Sequence, residues 1–269
     1  MNQTILVTGG SGNLGSHVVD RLTGQGREVR VLSRHPRSGA GTSAADWSIG
    51  NLSTGEGLDR ALDGVGTVVH CATDGRTPDG DVQATRNLLE AAARADRPHV
   101  VYVSIIGVDR HPLPYYRAKH RTEQVVRDSG LPWTVLRAAQ FHDLVHFVLY
   151  QAARLPLMPV LAGTRFQSID VADVARRTAD LAVGDAQGRV ADLPGPQTLT
   201  MAEMARIYLR VTGRRRLVVP LLLPGKVVGA YRRGLHLAPE PLPGGRTFED
   251  FLRDRPELKI PEAARRKAR

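Results

Sequence analysis

The sequence predicts a doubly wound α/β fold, an open parallel sheet with helices on both faces, followed by a small C-terminal lobe. Three observations lead there. Short β-branched runs alternate with helical stretches from residue 4 to about residue 137; the first such run breaks into glycines and continues as a helix; and beyond about residue 139 the alternation loosens.

Taken in order, Ile5, Leu6 and Val7 suit a buried parallel strand, and the run Thr8, Gly9, Gly10, Ser11, Gly12, Asn13, Leu14 and Gly15 follows it. Gly9 allows a sharp turn, Gly12 close approach of backbone to a ligand, and Gly15 tight packing of the next helix. That helix presents free N–H groups and a positive dipole end to a pyrophosphate. The stretch 17–24 continues as a helix closed by Gly24, Gln25 and Gly26, and 28–33 is a second strand. A short strand near 46–49, a helix at about 54–62 and a β-branched strand at 67–72 come next, then a helix at 82–95 and a fifth strand at 100–104. A helix over 115–129, ended by Gly130, and a sixth strand at 133–137 complete the regular part.

The division this predicts is a nucleotide-binding core over 1–140, a substrate lobe over 141–255 interleaved with the core, and a flexible basic tail over 256–269. Within the lobe, 141–153 and 171–183 read as helices, 155–163 as a proline-punctuated stretch, and Thr200 with Glu203 as a capping box launching a helix over 201–212. The first residues lack the pattern of a signal peptide and no apolar run is long enough to span a bilayer. Cys71 is the single cysteine, which excludes an intrachain disulfide and a cysteine-based metal site. The expected location is a reducing cytoplasm. The formal charge is +10, with positive residues scattered through helices and loops and local groups at 214–216, 232–233 and 265–269. No basic stripe interleaved with aromatics is evident, so nucleic acid is not the expected partner; a small-molecule substrate is. Whether the chain is a monomer or a homodimer stays open.

The end of the second strand selects the cofactor. NAD-binding versions of this arrangement carry an acidic residue there for the ribose hydroxyls, whereas this chain has Ser33 and Arg34, with Arg37 within reach. A guanidinium binds a 2′-phosphate with charge-assisted bonds, so NADP(H) is preferred and NAD(H) remains possible. A second group of residues suggests chemistry. Ser104 ends the fifth strand; Tyr115 and Lys119 follow on one helical face, and Pro114 suits the helix start. An ammonium near a phenol favours the phenolate, which makes Tyr115 a candidate proton donor, with Ser104 hydrogen-bonding the same substrate oxygen. Tyr116 also shares the Lys119 face, so either tyrosine can be the acid or a pocket aromatic. Lysine is rare here, present only at 119, 226, 259 and 267, and its retention at 119 fits a role that bulky guanidinium cannot fill. His142 and His146 lie one helical turn apart, but no third ligand accompanies them and no metal is expected. His70, in an apolar strand, reads as a satisfied core histidine.

Residues 8–15, Ser33 with Arg34, the 103–107 stretch Val-Ser-Ile-Ile-Gly, the 115–119 stretch Tyr-Tyr-Arg-Ala-Lys, and the 129–137 stretch Ser-Gly-Leu-Pro-Trp-Thr-Val-Leu-Arg together resemble the NmrA-like branch of the atypical short-chain dehydrogenase/reductases. The resemblance spans most of the chain. It implies a Rossmann fold, NADP(H) held by Gly9, Gly12, Gly15 and Arg34, and Lys119 near the nicotinamide ribose. It also implies Asn51 and Leu52 beside the adenine, and Cys71, Ala72 and Thr73 along the cofactor. Two departures stand out. Ser104 and Tyr115 are eleven residues apart, closer than in typical members, and Ala138 replaces a frequent proline. The expected function is NADPH-dependent reduction of a small carbonyl, quinone or conjugated substrate, with Phe141, His142 and the 156–161 segment lining the far side of the pocket. The branch also contains members that sense the cofactor without turnover, and a nucleotide-sugar epimerase or dehydratase would use the same tyrosine and lysine.

Overall fold

A computed structural model describes residues 3–36, 45–73 and 78–255. The chain opens with β1 (Thr4–Thr8), α1 (Asn13–Gly24), β2 (Val29–Ser33), β3 (Asp46–Ile49) and α2 (Leu58–Leu62). It continues through β4 (Val65–His70), α3 (Pro78–Arg94), β5 (His99–Ile105), α4 (Pro114–Arg127) and β6 (Trp133–Ala138). Next come α5 (His142–Ala152), β7 (Leu157–Leu161), β8 (Arg165–Phe166), α6 (Val171–Ala182) and β9 (Gly188–Arg189). β10 (Leu199–Thr200), α7 (Met201–Thr212), β11 (Leu217–Leu221), α8 (Lys226–Arg232) and α9 (Phe248–Arg253) close it.

The described residues within 1–109, 113–138 and 171–192 form one compact unit; those within 110–112, 139–170 and 193–255 form a second. The boundary therefore falls after Ala138, with α6 and β9 returning to the first unit. The first unit holds a seven-stranded sheet in the order β3-β2-β1-β4-β5-β6-β9, every pair parallel. This is the doubly wound Rossmann sheet that the alternation predicts. Strand side chains alternate between faces. Leu6, Leu32, Val68, Val100, Tyr102 and Val135 meet α2, α3 and α4 in one core, while α1 and α6 pack together over the opposite face. Strand order reverses between β1 and β4, and ligands of such sheets bind outside the carboxyl ends of the strands at that point.

The second unit packs α5, α7 and α9 around Met158, Val160 and Phe166, with two small sheets, β10-β8 and β11-β7. Thr200 and Glu203 form the predicted capping box, and Thr247 with Asp250 form another. The 155–163 stretch contains a strand despite Pro159. A two-stranded ribbon has only edge strands, so a proline there costs no interior ladder bond, and Pro220 in β11 is tolerated likewise. The expected helix at 54–62 shrinks to α2 because Gly55 and Gly57 adopt positive φ. β9, two residues long, carries no periodic signal. The predicted tail and Arg37 lie outside the described residues.

Candidate functional site

A cleft of about 540 Å³ opens at the carboxyl ends of β1, β2 and β4. Its floor is the glycine turn. Gly9 has φ +69°, and a Cβ there would lie 2.8 Å from the Ala72 backbone; a Cβ on Gly15 would lie 2.1 Å from the Gly9 carbonyl oxygen. Gly15 thus seats α1 on the turn itself. Gly12 is the N-cap of α1; no side chain caps the helix and its first turn holds no acidic residue. Its first N–H groups and positive dipole end are left for an anion. Ser11 and Asn13 also line the cleft, and Leu14 is buried beneath it. A Cβ on Gly10 would strike Val31 at 2.6 Å, so that glycine serves helix–sheet packing.

At the end of β2, Ser33, Arg34 and His35 line the cleft and Arg34 is exposed. The Ser33 hydroxyl donates to the His35 carbonyl at 2.8 Å, so its proton serves the local turn instead of pointing outward as a spare donor. Asn51 and Leu52 face the cleft from the loop after β3. The Asn51 side-chain carbonyl accepts from the Ser53 N–H at 3.0 Å, leaving the NH₂ as its donor. Asn87 of α3 pins this loop by donating to the Leu52 carbonyl at 2.7 Å.

Thr8, His70 and Tyr102 are cross-strand neighbours on β1, β4 and β5. Thr85 donates to the Asp81 carbonyl at 2.8 Å, so its oxygen accepts from His70 Nε2–H at 3.0 Å, and His70 Nδ1 accepts from the Thr8 hydroxyl at 2.7 Å. The network assigns the neutral Nε2–H tautomer. Burial, reinforced by the Lys119 charge, pushes the His70 pKa down to about 3. Thr8 in turn accepts from the Ala72 N–H at 3.3 Å, fixing the wall formed by Cys71, Ala72 and Thr73. Burial pushes the Cys71 thiol up to about 12, against the opposing charge of Lys119, so it is inert as a nucleophile at neutral pH.

Ser104 is two residues beyond Tyr102 and shares its sheet face. Its Oγ is buried and, among the described residues, has no hydrogen-bond partner. Lys119 is buried too; its ammonium lies 4.9 Å from the Tyr102 ring centroid and donates over 3.4 Å to the Val103 carbonyl. An ammonium has three protons to donate, so most of this capacity is unspent. Tyr116 is 3% exposed and Tyr115 40% exposed. α4 is clamped to β6 below this point, where Arg137 grips Glu123 at 2.9 and 2.7 Å and reaches Asp109 at 3.1 Å.

Residues 9–182 match the family described as NAD(P)H-binding. The chain belongs to this NAD(P)H-binding Rossmann family. A (4-alkanoyl-5-oxo-2,5-dihydrofuran-3-yl)methyl phosphate reductase of Streptomyces griseus is 31% identical over 218 residues, covering 78% of this chain and 74% of that protein. The photosystem II assembly factor Ycf39 of Cyanophora paradoxa is 28% identical over 225 residues, covering 78% of this chain and 69% of that protein. An NADPH-dependent quinone oxidoreductase of Escherichia coli, solved with NADPH, shares the fold with a TM-score of 0.78 at 19% identity, over 92% of this chain and 98% of that one. The family agrees with the resemblance carried by the sequence motifs. The cleft fits a dinucleotide on its own terms: an uncapped helix N-terminus, a turn in which Cβ atoms at Gly9 and Gly15 would clash, and a cation at the β2 end.

Phe141 and His142 belong to the second unit. Phe141 is half-buried at the N-cap of α5. His142, expected in a pocket wall, is instead enclosed between Phe248 and Phe251, with its ring nitrogens 2.9 Å from Ser168 Oγ and from the Arg246 carbonyl. It is a core residue because both nitrogens already have protein partners. Of the 156–161 segment, Met158 and Val160 likewise enter the core. Among the described residues no group of three or more His, Cys, Asp or Glu is placed to hold a metal, and no helix is long and apolar enough to cross a membrane. His35, Gly50, Ser53, Asp81 and Ala84 also line the cleft without having been singled out from the sequence. His35 was the most accessible of these, since it follows Arg34 directly.

Proposed function

We propose that the chain is an NADPH-dependent reductase of a small carbonyl, quinone or conjugated substrate. The observation that carries this reading is the unspent hydrogen-bonding capacity at the carboxyl end of β5, where the Ser104 hydroxyl and the Lys119 ammonium are both buried. Leaving buried polar groups unsatisfied costs about 1–3 kcal/mol each, a cost that a polar ligand relieves.

When bound, the cofactor supplies a hydride. The N–H groups of α1 hold its pyrophosphate and Arg34 its 2′-phosphate, while the Asn51 NH₂ is available to the adenine. Lys119 holds the nicotinamide ribose. Tyr115, one helical turn before Lys119 and 40% exposed, donates the proton to the substrate oxygen, and Ser104 donates a hydrogen bond to it. Tyr116 is buried and takes no part in this proton transfer. The reductase relative supports the reaction class, and the absence of an acidic residue from 33–36 supports NADP(H) over NAD(H). Asp81, the acidic lining residue of the cleft, sits on α3 and its carbonyl accepts from Thr85 of the His70 network.

The test is NADPH oxidation across a panel of carbonyls, quinones and enones. Tyr115→Phe and Lys119→Ala lower turnover by about 100-fold or more with the fold retained. Unchanged turnover in both variants refutes the assigned roles. Likeness to an assembly factor favours a second reading, in which the bound cofactor alters affinity for a partner. That reading predicts saturable NADPH binding, no oxidation on the same panel, and capture of a partner in one redox state only.

A further inference from the structure

The net charge is concentrated in two stretches. Residues 144–169 and 204–239 hold ten of the 37 Lys and Arg residues and none of the 27 Asp and Glu residues. They therefore carry a net +10, the formal charge of the whole chain, and the remainder balances at 27 of each sign. Both stretches belong to the second unit.

The same stretches expose apolar side chains. Val145 and Leu149 of α5 enter the core, while Leu144, Phe147 and Val148 are 54%, 58% and 43% exposed on a shared outer face. A surface helix ordinarily turns a polar face outward; α5 turns an apolar one. Beyond it, β11 and the following turn present Leu217 at 67% and Leu222 at 73% exposure. Arginines join the two areas. The Arg214 guanidinium lies 5.6 Å from the Tyr150 ring centroid of α5, and Arg214, Arg215 and Arg216 border one shallow depression with Pro156 and Leu217. Among the described residues none of these three has a carboxylate partner, whereas Arg210, Arg246, Arg253 and Arg255 of the same unit do.

We propose that this face docks on an anionic lipid bilayer, with the outer side of α5 and the Leu217–Leu222 segment entering the headgroup region and Arg214, Arg215 and Arg216 meeting lipid phosphates. At 11 residues α5 is too short to span and lies in the interface plane. Long arginine stems cover apolar surface while their heads reach the phosphates. Pairing with a second copy is disfavoured because two-fold contact sets like arginine clusters against each other, and Pro159 and Pro220 remove ladder donors from the β7–β11 ribbon. A nucleic acid would satisfy the arginines but leave the leucines in water.

The experiment sediments the full chain with vesicles of phosphatidylcholine alone or mixed with phosphatidylglycerol. Duplex DNA binding and light scattering over a concentration series run beside it. The protein is expected to bind the mixed vesicles and not the neutral ones. Arg215→Gln and Arg216→Gln should each weaken partitioning about fivefold, and Phe147→Ser with Leu222→Ser about tenfold or more. All variants should keep the circular dichroism and NADPH affinity of the parent, which shows that they fold. Four results overturn the proposal: no binding to mixed vesicles, equal binding by parent and variants, DNA binding without vesicle binding, or a dimer that Phe147→Ser with Leu222→Ser dissociates.

Discussion

Arg34 is exposed at the end of β2, on the wall of the cleft, where an NAD-binding chain would carry a carboxylate. A hydrogen bond to a charged group contributes about 1.5–3 kcal/mol, so Arg34→Ala is expected to weaken NADPH binding about 10- to 100-fold and leave NADH binding nearly unchanged. Fluorescence titration with both cofactors checks this; equal losses for the two would place the guanidinium away from the 2′-phosphate. At this scale the glycine turn is legible in the sequence because it answers a local need. A positive φ at Gly9 or a missing Cβ at Gly15 is a property of one position and its immediate turn. The Thr8–His70–Thr85 network was not legible, because its members come from β1, β4 and α3 and meet only through strand register. Ser33 shows the converse: its type suggested a phosphate donor, and its neighbour His35 claims the proton.

The helix α4 carries Lys119 and Glu123 on its buried side, one polar pair for two tasks. Lys119 faces the carboxyl end of β5, and Glu123 locks the helix to β6 through a bidentate contact with Arg137. Breaking a buried ion pair strands the remaining charge, so Arg137→Ala is expected to cost about 3–5 kcal/mol in urea denaturation. Replacing Arg137 and Glu123 together by Met and Leu should recover most of that loss; if the double variant is no better than the single one, the pair is not what anchors α4. Elements with clean periodicity or caps, such as α4 and α7, were readable from sequence to within a residue or two. β7 and β11 were hidden because proline argues against strands, and only the two-stranded ribbon, an arrangement distant in sequence, makes it harmless. The burial of His142 is hidden from the sequence for a related reason, since Ser168, Phe248 and Phe251 come from elsewhere in its unit.

Across the whole molecule several histidines are held neutral. Burial lowers the pKa of His70 to about 3 and of His236 to about 4, and lowers that of His142 as well. The unfolded chain therefore binds more protons than the native one below about pH 6.5, and stability rises with pH through that range. The contribution of His70 and His236 is complete above pH 6.5 and is lost as pH falls toward 3–4, at about 1.4 kcal/mol per pH unit for each of the two. The Tm should fall between pH 7.5 and pH 5, and His70→Asn should flatten that dependence; a Tm independent of pH would refute the neutral assignment. The fold and cofactor class were legible at this scale because alternation and the glycine turn suffice for them. The substrate was not, since it depends on how side chains of distant segments are arranged. The proposed reaction places hydride transfer beside Ser104 and Lys119, at the carboxyl end of β5. The most direct measurement is incubation with NADPH carrying deuterium at both nicotinamide C4 positions and a panel of carbonyls and enones, whose reduced products keep the label on carbon, followed by product mass spectrometry. Deuterium is expected in a reduced product in proportion to oxidised cofactor formed; saturable NADPH binding with neither label transfer nor oxidation on any acceptor would contradict the proposed reaction.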